Sequence, residues 1–243
     1  MTNKIPYTHF CKNTENHRLR ILHDDGLYRH LRMQSDNEKG QPTAIWYWDI
    51  ITWPGSLAIR GDVADGYIFT RDPDMLEFFS LHPDRYHDDA PKIDMHYWAQ
   101  KLAHEHRSTA TVYDPEVFLA SVHDALSNDS MDSEDLMDTA RQHMLASLDE
   151  QAFARLPDEE DPGYEAALNA LLNPIAEEIL NDARSSGETE SEARQWLHEY
   201  DRLFPEAAAE WDLSDFDPQF KIACWAIDKT VRAYRTYTNE NSH

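Results

Sequence analysis

The chain is expected to fold as an α+β protein, an N-terminal antiparallel sheet of four or five strands packed by a helical C-terminal part. Three observations predict it. Up to residue 71 apolar residues alternate moderately, and β-branched and aromatic residues recur. Beyond Arg71 the apolar spacing changes to three and four residues, the period of a helix face. Four Asp-Pro pairs, Asp72–Pro73, Asp114–Pro115, Asp161–Pro162 and Asp217–Pro218, each precede such a run. Asp serves there as the cap and Pro as the first helical residue, where its missing N–H costs nothing.

The strands are expected at His17–Asp24, Leu27–Gln34, Thr43–Thr52, Ser56–Arg60 and Gly66–Thr70, with turns at Asp25–Gly26 and Pro54–Gly55. Alternation within Thr43–Thr52 puts Trp46 and Trp48 on one face and Tyr47 and Asp49 on the other. Helices are expected from near Asp72, with Met75, Leu76, Phe78 and Phe79. Others are expected over Lys92–His106, Asp114–Ser127, Ser133–Leu148, Asp161–Ala183, Glu190–Leu203 and Pro218–Tyr237. Pro174 is expected to kink or split the helix over Asp161–Ala183. In the last, Phe220, Cys224, Ile227, Val231 and Tyr234 form one apolar stripe.

Hydrophobic residues make up 41% of the 243, with seven Trp, enough to build a core rather than a disordered chain. One domain over 1–243 is expected, a sheet-rich part at 1–71 and a helical, acidic part at 72–243. Cys11 and Cys224 form no CxxC, which argues against a disulfide scaffold or a zinc ribbon. The segment MTNKIPYTHFCKNTENH lacks the apolar core of a secretory signal, and no apolar run is long enough to span a bilayer. A cytoplasmic protein without a membrane partner is therefore expected.

The net charge of −24 is unevenly spread. Residues 1–110 carry −3, residues 111–217 carry −23 and residues 218–243 carry +2. Direct binding of nucleic acid is disfavoured over the acidic half, because a phosphate backbone would be repelled. The expected partner is a protein with a basic, nucleic-acid-binding groove. The candidate contact residues are Glu134, Asp135, Asp138, Asp158, Glu159, Glu160, Asp161, Glu177, Glu178 and Asp182. Solubility of exposed helix faces is the competing explanation for the charge.

Catalytic patterns are missing. There is no G-x-S-x-G elbow, no G-x-x-x-x-G-K-[ST] loop and no G-x-G-x-x-G turn. His104 and His106 flank Glu105, but on a helix they would point about 200° apart and share no metal. His82, Asp84, His87, Asp88 and Asp89 cluster without a recognised ligand spacing, and of the His–Asp dipeptides only His123–Asp124 falls in a helical pattern. No cofactor is expected, and a binding protein is favoured over an enzyme. The second expectation places a nucleotide or small-ligand site, or a hydrolase, on the sheet. Trp46, Trp48 and Trp53 would supply stacking surfaces and Arg60 and Arg71 anion contacts, with Asp62 beside them. The competing explanation is structural, with Arg60 or Arg71 paired to Asp49 or Asp62.

The segments WDIITWPGSLAIRGD (48–62) and YIFTRDPDMLEFF (67–79) resemble a protein family of tailed bacteriophages and prophages with the pattern WDIxTWPGxLxIxGD followed by YIFxRxxDMxEFF. Tyr97–Leu102 and Cys224–Trp225 in the last helical pattern are similar to that family as well, whereas 111–217 corresponds least. The family carries no agreed catalytic residues. The resemblance implies a phage accessory protein acting in the host bacterial cytoplasm. Together with the acidic helices, it leads to the expectation of a counter-defence inhibitor that mimics DNA and blocks a host nuclease or CRISPR effector.

Overall fold

The computed structural model describes residues 5–64, 66–87, 90–127, 142–148, 152, 154–158 and 160–241. Along the chain run α1 (Tyr7–Thr14), β1 (Arg18–Asp25), β2 (Tyr28–Gln34), β3 (Trp48–Trp53), β4 (Ser56–Gly61), β5 (Tyr67–Thr70) and α2 (Met75–Phe78). Then come β6 (Tyr86–His87), β7 (Ala90–Pro91), α3 (Met95–Ala99), β8 (Thr111–Tyr113) and α4 (Pro115–Leu126). The chain finishes with α5 (Tyr164–Ser186), α6 (Glu190–Glu199), α7 (Ala207–Glu210), β9 (Ser214–Phe216) and α8 (Pro218–Asn241). The α+β expectation is met: β1 to β5 form one antiparallel meander in sequence order, followed by helices.

Backbone contacts gather into two compact units, one comprising Asn3–Val112 and Phe216–His243, the other Tyr113–Asp215. Composition and pattern predict one domain with a sheet-rich part at 1–71. In the structure α8, from the far end of the chain, shares a core with that sheet.

In the first unit, one face of the sheet supplies Leu31, Met33, Trp48, Ile50, Leu57, Ile59 and Phe69 to the core. Strand register makes this unavoidable: Leu31 lies opposite Ile50 and Ile50 opposite Ile59, so successive strands turn their apolar positions the same way. The helix α8 covers this face and is buried on more than one side. Phe220 packs on Tyr67 and Phe69, while Trp225 meets Tyr7 and Phe10 of α1. Each fully buried side chain of this size contributes about 1.5–3 kcal/mol. The single stripe expected for this helix therefore understates its burial, since Ile222, Ala223, Ala226 and Asp228 are buried as well.

Several local expectations are corrected. Trp46 is not in a strand: its φ is 58° and its backbone N–H donates to Asp62 Oδ2 at 2.7 Å, so β3 begins at Trp48 and the two tryptophans do not share a strand face. The helix expected over Lys92–His106 is only α3, followed by a 3-10 stretch at His104–Thr109. The residues between leave the helix to hydrogen-bond with β5, Thr70 donating to the Lys101 carbonyl and Ala103 to that of Ile68. Near Asp72 the cap is Asp74, whose carboxylate accepts from Leu76 and Glu77. The cap of α4 is Asp114, and Asp217 accepts from Gln219 and Phe220 at the start of α8, as the Asp-Pro pattern predicts. The helix α5 begins two residues after Pro162 and runs unsplit through Pro174. Of the helix expected over Ser133–Leu148, residues 142–147 are helical and 128–141 lie outside the described residues.

The second unit builds its own core from Phe118 and Val122 of α4, Ala183 of α5, Ala193, Trp196 and Leu197 of α6, and Phe204, Ala207 and Leu213. Gly187, just after α5, is part of that packing. A Cβ there would sit 2.3 Å from Phe118 Cε1, so only glycine lets the ring close against the helix end. A smaller cluster joins Met144 to Leu168 and Leu172 in the first half of α5.

Candidate functional site

The predicted sheet residues do not converge. Trp53 pairs with Ser56 at the β3–β4 turn, whereas Asp49 pairs with Arg60 four residues along. At about 3.3 Å per residue this separates Trp53 from Arg60 by about 13 Å. Arg71 belongs to the Trp53 end, where its N–H donates to the Gly55 carbonyl, and Asp62 to the Arg60 end through its bond with Trp46. Trp46 lies near His9, and Trp48 is fully buried, its Nε1 donating to Thr230 Oγ1 at 2.7 Å. Neither offers a stacking face beside Trp53.

The structural pairing expected for Asp49 also takes a different form. Arg32, its neighbour on β2, donates to both carboxylate oxygens at 2.6 and 2.8 Å, and His30 Nε2 stands 3.4 Å away. Arg60 makes no ion pair among the described residues, and Arg71 lies 3.9 Å from Asp72 with both side chains well exposed. Burial pushes the Asp49 carboxyl up. The bonds and charge of Arg32, with His30 adding to them, outweigh that and hold it below the usual carboxylate range.

The acidic candidates fall into separate groups. Asp158, Glu160 and Asp161 precede α5, while Glu177, Glu178 and Asp182 sit in its second half; all are exposed. A rise of 1.5 Å per residue puts Glu177 about 20 Å from the start of α5. Two members are already engaged within the fold. Asp161 Oδ1 accepts from the Gly163 N–H at 2.7 Å, and Asp182 Oδ2 accepts from Trp196 Nε1 and Tyr200 Oη at 2.7 and 2.8 Å. Burial, then the bond to Asp182, pushes the Tyr200 hydroxyl up to about 12. Glu134, Asp135, Asp138 and Glu159 lie outside the described residues. Glu190 and Glu192 occupy the first turn of α6, and Glu192 forms a capping box with Thr189, so these carboxylates stabilise the N-terminal end of the helix dipole.

His82 and Asp84 face each other at 3.1 Å in an exposed loop, and Asp88 and Asp89 lie outside the described residues. Among the described residues no group of three His, Cys, Asp or Glu is placed to hold a metal ion. No helix among them is long and apolar enough to cross a membrane.

A site that sequence reasoning missed lies in the first unit. A cleft of about 440 Å³ opens between α8 and the loop after α2, lined by Ser80, Leu81, Pro83, Tyr86, Val231, Arg232, Arg235 and Thr236. Spacing of four along α8 puts Val231 with Arg235 and Arg232 with Thr236 on its inner wall. Beneath lies Asp228, 1% exposed. It accepts from Tyr86 Oη at 2.6 Å and from Arg232 Nε at 3.0 Å. Burial raises the Asp228 carboxyl above its ordinary value even though Tyr86 and Arg232 pull it down. The Arg232 guanidinium also lies over the Tyr86 ring, 5.2 Å from its centroid, and Arg235 donates to Ser80 Oγ across the mouth. The one sequence signal for this site was the positive balance of 218–243 at the end of an otherwise acidic chain.

Comparison of the chain with protein-family models, with curated proteins and with solved structures found no match.

Proposed function

We propose that the chain is a phage-encoded accessory protein whose acidic unit is an interaction module. It occupies the basic groove in which a host defence protein, a nuclease or a CRISPR effector, would otherwise hold nucleic acid. The observation that carries this reading is exposed, uncompensated negative charge. No lysine occurs between Lys101 and Lys221, and the carboxylates of Asp158, Glu160, Glu177 and Glu178 are all exposed. Five arginines stand against 28 carboxylates over 111–217, and of the described ones Arg194 pairs with Glu190. Surface carboxylates of this density attract a Lys/Arg groove over about a Debye length.

Glu177 and Glu178 are the contact residues this reading favours, because neither caps a helix nor accepts an internal bond among the described residues. Asp182 and Asp161 are assigned to the fold instead. The test is displacement of labelled duplex DNA from a basic host nuclease by the intact protein, followed by fluorescence anisotropy from about 50 to about 500 mM salt. Displacement should weaken steeply with salt, and E177K/E178K should weaken it about tenfold with an unchanged melting temperature. Displacement insensitive to both salt and charge reversal, or none at all, would sink the reading.

A further inference from the structure

We propose that the cleft beside α8 is a binding site for a small phosphomonoester. The reading is independent of the acidic unit. It rests on how the donors are arranged. Arg232 is held from two sides: its Nε and Nη2 lie 3.0 Å from Asp228 Oδ2, and its plane rests over the Tyr86 ring. That leaves Nη1 without a protein acceptor among the described residues, on a side chain 44% exposed. Arg235 follows one turn later, at the mouth. Ser80 Oγ accepts from Arg235, so its own hydroxyl hydrogen remains to be donated. Two guanidinium groups and a hydroxyl thus line one cleft.

A phosphate with three terminal oxygens matches this set better than a carboxylate with two, and guanidinium pairs favour it through charge-assisted bonds. Charge permits an anion here. The Asp228 carboxylate is buried under Arg232 and compensated by it, so among the described residues that line the cleft Arg235 adds a positive charge. The stretches 1–110 and 218–243 carry −3 and +2, a nearly neutral background unlike that of 111–217. Leu81, Pro83 and Val231 form the apolar part of the lining, against which the organic body of the ester would lie. A volume of about 440 Å³ lies in the range of small-molecule pockets.

The intact protein would be titrated by calorimetry with inorganic phosphate, adenosine 5′-monophosphate and, as the control without phosphate, adenosine. Phosphate and the monophosphate should bind and adenosine should not. R235Q should weaken the monophosphate about tenfold or more, S80A severalfold, and R60Q, on the sheet, not at all. Should R235Q melt early, the wild-type protein decides: in NMR titration the monophosphate should shift the side-chain signals of Arg232 and Arg235 first. Absence of binding to about 10 mM, binding unchanged in S80A and R235Q, or shifts centred elsewhere would each overturn the assignment.

Discussion

At Asp49 an alternating strand pattern met a charged residue that has little access to solvent. Its side chain is 5% exposed, yet it sits on the sheet face opposite the main core, where alternation places it. A carboxylate so enclosed is tolerable because Arg32 meets it with two donors on the neighbouring strand, a cross-strand pair fixed by register. The group is held below its ordinary value in the fold, so the unfolded chain binds more protons as pH falls through the usual carboxylate range. Its contribution is therefore complete above about pH 4 and is lost as pH falls toward its lowered folded value. D49N should lower stability by about 2–3 kcal/mol at pH 7 and flatten the acid limb of the stability curve. Urea unfolding from pH 7 down to pH 3 measures both; an acid limb as steep as that of the wild type would refute the assignment. The residue was visible in the sequence as a charge on a strand, but its partner was not. Arg60, also opposite it, had an equal claim by spacing, and only the conformation of Arg32 decided between them.

At the scale of elements, the strands and helix starts were legible where a local interaction decides them. Asp114 and Asp217 cap their helices because Asp-Pro satisfies a helix start within three residues. The same pattern misplaced the starts of α2 and α5 by two residues. At α2 the later Asp74 is also the acceptor for both terminal nitrogens of Arg29, at 3.0 and 2.9 Å, a contact 45 residues away in sequence. The shortened α3 has a similar cause, since pairing of 101–103 with β5 competes with helical bonding. Long-range bonds of this kind also tie α8 to the sheet. Trp48 Nε1 donates to Thr230 Oγ1, and Thr230 in turn donates to the Ala226 carbonyl. T230V keeps the shape but leaves the indole N–H buried without an acceptor, which should cost about 1–3 kcal/mol. Guanidinium unfolding of the variant, read by Trp fluorescence, checks this; an unchanged midpoint would show that the bond contributes nothing.

For the whole molecule, charge and architecture divide along similar lines. The compact unit Tyr113–Asp215 falls within the segment of −23, and the unit containing the sheet and α8 is nearly neutral. Self-repulsion destabilises a compact acidic body, and salt relieves it by shortening the Debye length from about 30 Å at 10 mM to about 3 Å at 1 M. Raising sodium chloride across that range should raise the melting temperature of the acidic unit by several degrees and move the other unit less. Scanning calorimetry resolves the two as separate or merged transitions. An acidic transition that shifts no more than the other would mean that its carboxylates are already compensated within the fold.

By itself the sequence determined the α+β class, the meander, the apolar faces, two of the helix caps and the charge division. Each of these depends on neighbours within a few residues or on composition. Tertiary structure alone decided that α8 returns to cover the sheet, that Arg32 rather than Arg60 neutralises Asp49, and that Trp53 and Arg60 stand apart. It also decided that Arg232 and Arg235 meet Ser80 and Tyr86 around a cleft. Those outcomes depend on contacts between residues far apart in the chain, 182 positions between Trp48 and Thr230 and 210 between Asp24 and Tyr234. No local pattern encodes such contacts, because burial and register choose among partners that are chemically equivalent in the sequence.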